Sequence, residues 1–142
     1  MPTTISCTRR LEFDAAHRLV QHEGKCRNLH GHRYVLDATF TAPTLDDLGR
    51  VVDFTVIKEK LGRWIDEHWD HNTILFEKDK PLGESIAGHT KQNVYYLPSN
   101  PTAENMAAYI FEVVCPEIFN GTGITCTEIV LHETPNCKVT AS

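Results

Sequence analysis

His30-Gly31-His32-Arg33-Tyr34-Val35-Leu36-Asp37-Ala38-Thr39-Phe40-Thr41 is the stretch on which the fold turns. Its even positions read His, His, Tyr, Leu, Ala, Phe, and its odd positions carry Gly, Arg, Val, Asp and Thr. A period of two with one apolar side predicts a strand laid on a core. Two imidazoles at i and i+2 then point to the same face and can reach one metal ion. The glycine between them puts no side chain on the other face and lets the backbone bend beside the ion.

Residues 8–19 alternate in the same way. Leu11, Phe13, Ala15 and His17 share one face, and Glu12, Asp14 and Ala16 the other. Residues 21–29 are polar and contain Gly24, so they connect the two strands as a loop or hairpin. Antiparallel pairing would bring His17, at the end of one strand, to His30 and His32 at the start of the next.

Residues 43–49 read as a turn, after which Asp53 caps a helix running to about Trp69. Ile57, Leu61, Trp64, Ile65 and His68 form its apolar stripe. The stretch 77–100 holds prolines, glycines and many polar residues and reads as loop, briefly extended over 93–97. A second helix starts at Asn100-Pro101-Thr102-Ala103-Glu104, where proline and an early carboxylate suit a first turn. Ala103, Ala107, Ile110, Phe111 and Val114 supply its buried stripe, and Pro116 should end or kink it. The last strand covers 123–134, with Thr127, Ile129, Leu131 and Glu133 on one face. The order strand, strand, helix, helix, strand predicts an α+β fold, an antiparallel sheet with two helices on one face.

The chain has 142 residues, with 14 Lys+Arg against 19 Asp+Glu and a net charge of −5. That length predicts a single domain over 1–142. An acidic chain without a basic run is a poor nucleic-acid binder, and no apolar run is long enough to span a membrane. The N-terminal residues lack the basic-then-apolar order of a secretory signal. The five cysteines are therefore expected to be free thiols in a reducing cytoplasm, with Cys115 and Cys126 acting as small hydrophobes.

Three neutral imidazoles from His17, His30 and His32 would leave a tetrahedral zinc ion one open position, the arrangement of a catalytic site. Cys26 lies four residues before His30. It has three readings: a thiolate that accepts a proton, a fourth ligand closing a non-catalytic Cys-His₃ site, or an inert loop thiol. Asp70-His71 is a candidate pair in which a carboxylate orients a proton-relaying imidazole. His22 and His89 stand in polar stretches and read as surface residues.

Several motifs follow one another along the chain: Phe13-Asp14-Ala15-Ala16-His17-Arg18-Leu19, Cys26-Arg27-Asn28-Leu29-His30-Gly31-His32, Val52-Asp53-Phe54, Asp70-His71-Asn72, Pro101-Thr102-Ala103-Glu104-Asn105 and Glu133-Thr134. Together they resemble the 6-pyruvoyltetrahydropterin synthase family. The CxxxHGH spacing is similar to the bacterial 6-carboxytetrahydropterin synthase branch, which serves queuosine and other 7-deazapurine synthesis. The resemblance implies a T-fold (tunnelling-fold) chain whose sheet joins those of other subunits in a barrel, usually a homohexamer of two trimers. It implies zinc on His17, His30 and His32, and Cys26 as proton acceptor. Asp70 and His71 would complete a triad across a subunit interface. Glu133 would anchor the pterin, since a carboxylate can accept two parallel hydrogen bonds from the ring's amino and N–H edge. Thr102 and Glu104 would sit beside it and help hold the ring, although a plain helix start explains them equally well.

The implied reaction converts 7,8-dihydroneopterin triphosphate to 6-carboxy-5,6,7,8-tetrahydropterin, acetaldehyde and triphosphate. The alternatives are a 6-pyruvoyltetrahydropterin synthase that eliminates triphosphate and keeps the side-chain carbons, and a non-catalytic zinc protein. Two features depart from the family pattern: Trp69 stands where a leucine usually precedes the Asp-His pair, and the stretch 77–100 is long.

Overall fold

The computed structural model describes residues 3–142. Strands β1 (Cys7–His17) and β2 (His30–Thr41) pair antiparallel, with His17 opposite His30, Ala15 opposite His32 and Phe13 opposite Tyr34. The alternating pattern sorts the two faces as expected. Phe13, Tyr34, Leu36, Ala38 and Phe40 are fully buried, while Arg10 binds Asp37 and Arg33 binds Asp14 on the outward face.

Helix α1 begins with α-helical residues Phe54–Ile57, widens to a π-turn over Lys58–Gly62, and returns to α over Arg63–His68. The Asp53 carboxylate accepts the Thr55 N–H at 2.9 Å, so the expected cap is present. Helix α1 carries the chain to β3 (Asn72–Phe76), which lies parallel to β1. Helix α2 (Lys80–Thr90) and the short strand β4 (Tyr95–Leu97), parallel to β3, come next. Helix α3 covers Ala103–Tyr109, a π-turn over Ile110–Val114, and Cys115–Ile118. Strands β5 (Thr125–Thr134) and β6 (Cys137–Ala141) close a six-stranded sheet of order β4-β3-β1-β2-β5-β6.

The fold class is α+β, but the sheet is mixed and a third helix is present. Residues 77–100 do not form a loop: Lys80–Thr90 is helical despite Pro81, Gly83 and Gly88. Proline is tolerated in a first turn, and buried Gly83 lets the helix close on the Tyr96 ring. Tyr96 points away from the core-facing Tyr95 and Leu97, so α2 covers the sheet face opposite to α1 and α3. This explains why Thr73, Ile74 and Leu75 in β3 are all buried. A strand covered on both faces loses the alternation by which it could be read. Arg18 fastens α2 to the end of β1 through two 2.6 Å bonds to Asp79.

Strand β5 departs from its expected face pattern. Thr39 pairs with Glu128 and Phe40 with Cys126, leaving Thr127 as a bulge. Cys126, rather than Thr127, therefore joins Ile129 and Leu131 on the core side. In α3 the Cys115 N–H reaches back to the Ile110 carbonyl, the wide turn coming just before Pro116, which has no N–H to give. The helix ends two residues later, close to the expected stop.

Below the inner face, the Phe13 and Tyr34 rings stack at 5.0 Å, and Trp69, fully buried, packs against Phe13 at 5.8 Å. The Thr102 hydroxyl accepts the Asn105 N–H at 3.1 Å and caps α3. Thr102→Ala should lower the unfolding free energy by about 1 kcal/mol in urea titration. An unchanged midpoint would contradict the capping role.

Candidate metal centre

His17 ends β1 and His30 and His32 begin β2, so the register places three imidazoles at one corner of the buried face. Their ring centroids lie 4.7, 4.9 and 5.1 Å apart, close to an equilateral triangle. One nitrogen from each lies within 4.8 Å of the other two. His17 is buried, and His30 and His32 are half-buried at the rim.

Two backbone carbonyls decide which nitrogens remain free. His17 Nδ1 lies 2.7 Å from the Pro101 carbonyl, and His30 Nδ1 lies 2.7 Å from that of Asn28. A carbonyl can only accept, so each Nδ1 carries the proton and each Nε2 keeps its lone pair. His32 Nε2 is buried without a hydrogen-bond partner. The free Nε2 atoms of His17 and His30, with a ring nitrogen of His32 within 4.8 Å of the ligand atoms of both, suit a divalent ion of borderline softness. The orphaned His32 nitrogen is the specific sign that a ligand belongs there.

Burial pushes the His17 pKa down to about 4, with the Pro101 carbonyl opposing and the other two imidazoles adding to the shift. Burial likewise lowers that of His32, although Glu133 pulls the other way. Glu133 Oε1 stands 3.7 Å from His32 Nε2, beyond hydrogen-bond reach but on the same face as the trio. The carboxylate thus stands beside His32.

Cys26 lies in a single 3₁₀ turn, Lys25–Arg27, whose Cys26 carbonyl accepts the Leu19 N–H at 2.9 Å. The turn folds back on the end of β1, yet the Cys26 sulfur does not join the three imidazoles in one cluster. Glu104 is exposed in the first turn of α3 and has no hydrogen bond or ion pair to the trio or Glu133 among the described residues. Thr102 spends its hydroxyl on the cap.

Asp70 and His71 do touch, with His71 Nδ1 3.0 Å from Asp70 Oδ2. Asp70 Oδ1 accepts the Asp14 N–H at 3.0 Å, and the His71 N–H donates to the Asp14 carbonyl at 2.6 Å. Burial raises the Asp70 carboxyl, but the Asp14 N–H, His71 and Arg33 outweigh it and hold it below the ordinary carboxylate range. His71 adopts a left-handed backbone, φ 56°, and its ring is mostly exposed. Such a conformation in a histidine is costly and is kept only where the surroundings impose it. The pair gathers at Asp14, which faces away from Phe13, Ala15 and His17, so it sits on the opposite side of the sheet from the trio. A cleft of about 440 Å³ opens there between Asp14, Gly31, Arg33, His71, Thr73 and Gln92.

Residues 6–142 match the family model described as 6-pyruvoyl tetrahydropterin synthase. The chain belongs to the 6-pyruvoyl tetrahydropterin synthase family. A relative from Rickettsia bellii, named 6-carboxy-5,6,7,8-tetrahydropterin synthase, is 51% identical over 95% of this chain and 98% of its own length. The solved 6-pyruvoyl tetrahydropterin synthase of Caenorhabditis elegans superposes with a TM-score of 0.69 at 26% identity, covering 99% of this chain and 96% of that one. An uncharacterized protein from Wolinella succinogenes shares the fold at a TM-score of 0.78 and 19% identity, covering 99% and 98%. In this 6-pyruvoyl tetrahydropterin synthase family chain, the sequence pointed to all three imidazoles but not to what orients them. The Pro101 carbonyl that fixes His17 lies in a motif legible only as a helix start.

Unfolded, His17 takes up a proton below about 6.5, whereas in the fold it stays neutral down to about 4. Acidification between those values therefore favours the unfolded chain. Chelator-treated protein should lose roughly 3 kcal/mol of stability from this group as the pH falls from 6.5 to 4. His17→Gln should flatten that segment of the stability–pH curve measured by denaturant titration. An equally steep curve in the variant would assign the acid sensitivity elsewhere.

Proposed function

We propose that this chain is a zinc-dependent 6-carboxy-5,6,7,8-tetrahydropterin synthase. It would convert 7,8-dihydroneopterin triphosphate to 6-carboxytetrahydropterin, acetaldehyde and triphosphate, in the service of queuosine and other 7-deazapurine synthesis in the cytoplasm. The observation that carries this reading is the convergence of three imidazoles beside the Glu133 carboxylate. The 51% identity to a relative of that name favours it over the pyruvoyl-forming alternative. The placement of Cys26 outside the imidazole cluster speaks against a closed Cys-His₃ site.

Glu133 accepts the amino and ring N–H edge of the pterin, fixing the ring so that its side chain extends toward His17, His30 and His32. A zinc ion held by those three residues supplies Lewis-acid polarisation of the side-chain oxygens. Cys26, on the turn that leads into β2, takes the substrate proton. His71, held in place by Asp70, moves a proton on the far side of the reacting carbons. Within one chain the pair and the trio form separate clusters, and a second copy would present its Asp70–His71 to this trio in a homo-oligomeric barrel, a hexamer of two trimers. Thr102 and Glu104, at the start of α3, would stand beside the ring and help hold it.

Zinc-loaded protein incubated with 7,8-dihydroneopterin triphosphate should release acetaldehyde, detectable by derivatisation and mass spectrometry. A product retaining all the side-chain carbons would overturn the carbon–carbon lyase assignment. Cys26→Ala should abolish turnover yet keep its metal, and loss of the metal would make Cys26 a ligand instead. Mixing inactive His32→Ala with inactive His71→Ala under subunit exchange should restore about a quarter of wild-type activity, since random assembly gives some sites an intact trio and an intact pair. No recovery at all would place both halves of the site on one chain.

A further inference from the structure

Two irregularities of the fold bring Cys115 and Cys126 together, at the end of the molecule away from the imidazoles. The π-turn over Ile110–Val114 delivers Cys115 at the close of α3, and the bulge at Thr127 turns the Cys126 side chain to the core face of β5. Both residues line one cavity of about 310 Å³, with Phe119, Gly121 and Gly123 among its walls. Cys115 is only 1% exposed, whereas Cys126 is half-buried. A Cβ built on Gly121 or Gly123 would meet nothing within 4 Å, so the glycine side of the cavity is open.

The two sulfurs are not equivalent. Cys126 Sγ lies 3.6 Å from the Glu128 carbonyl, which can only accept, so the Cys126 hydrogen points there. The hydrogen between the two sulfurs is then that of Cys115. Its donation holds the Cys126 thiol below the ordinary range against the opposing effect of burial, and the same contact together with burial raises Cys115. One sulfur is thus inclined to ionise beside an opening, with a protonated sulfur behind it. That arrangement differs from two thiols packed as small hydrophobes, and it is what thiol oxidation requires.

We propose that Cys115 and Cys126 form a redox-active dithiol, in which Cys126 reacts with hydrogen peroxide entering the cavity and Cys115 closes the product to an intrachain disulfide. The Cys126 sulfur attacks one peroxide oxygen and the O–O bond breaks. The departing hydroxide takes a proton and leaves as water, and Cys126 becomes a sulfenic acid. The Cys115 sulfur then attacks that of Cys126, the S–O bond breaks, and a second water leaves with the Cys115 proton. Together the sulfurs give up two electrons, and the peroxide is reduced to two waters. A small thiol reductant reopens the bond by exchange. The site stands apart from the pterin chemistry and does not depend on it.

The test treats the folded, zinc-loaded protein with hydrogen peroxide, then unfolds it, alkylates the remaining thiols and digests it with a glutamate-specific protease. Cuts at Glu112, Glu117, Glu128 and Glu133 put Cys115, Cys126 and Cys137 on separate peptides. Expected is a linked Cys115–Cys126 pair, lighter than the two reduced peptides by two hydrogens. It should form before the exposed Cys137 is modified and disappear on treatment with dithiothreitol. In Cys126→Ser, Cys115 should stay reduced under the same treatment. Both thiols still free once Cys137 has been oxidised, or either one linked to a different cysteine, would overturn the proposal. Cys126 carrying added oxygen while Cys115 remains free would overturn it as well. Oxidation of Cys115 in Cys126→Ser would do the same, since Cys126 would then not be the sulfur that reacts first.

Discussion

The register between β1 and β2 is the constraint on which the rest of the structure depends. Because side chains alternate at every residue, a slip of one position would turn His17 away from His30 and expose the Phe13 face to water. The same pairing that buries Phe13 against Tyr34 therefore assembles the trio. Burial of these large rings favours that register by several kcal/mol over its neighbours. The histidines, which gain little from folding without a metal, occupy the corner that the hydrophobic pattern leaves to them.

What the strands bring together, the turns then orient. The Pro101 and Asn28 carbonyls set the tautomers of His17 and His30, and both belong to irregular segments flanking regular ones. The segment bearing Pro101 is itself clamped. Asn100 exchanges hydrogen bonds with both backbone groups of Val20, and Asn105 holds the Asn100 carbonyl. On the other side, the Arg18–Asp79 pair ties the exit of β1 to α2. The chain leaving His17 is thus fixed from two directions before it reaches the turn carrying Cys26. Preorganisation of this kind holds the three rings together on the protein's own hydrogen bonds.

Elements whose local pattern matches their final environment were legible in the sequence: β1, β2, the cap at Asp53, the stripe of α1 and the start of α3. The others were set by partners distant in sequence. β3 lacks alternation because α2 covers its second face, and α2 contains residues that favour loops until Arg18 and Tyr96 are in place. The bulge at Thr127 depends on how β5 meets β2, and β6 is brought in by the Pro135-Asn136 turn. Within the site, residue type and spacing marked the three imidazoles that the register brings together. The carbonyls that orient them carry no such signature, since every residue has one.

The separation of the trio from Asp70–His71 follows from chain topology. A parallel strand beside β1 requires a crossover, and α1 supplies it along the core face. The chain must then descend past the edge of β1 before β3 can begin. Asp70 and His71 occupy that descent, and the Asp14 backbone captures both of them on the outward side. The left-handed backbone at His71 is the local cost of so sharp an entry into β3. The pair is therefore fixed by the backbone of β1, distant from it in the chain order, rather than by β3, which it precedes.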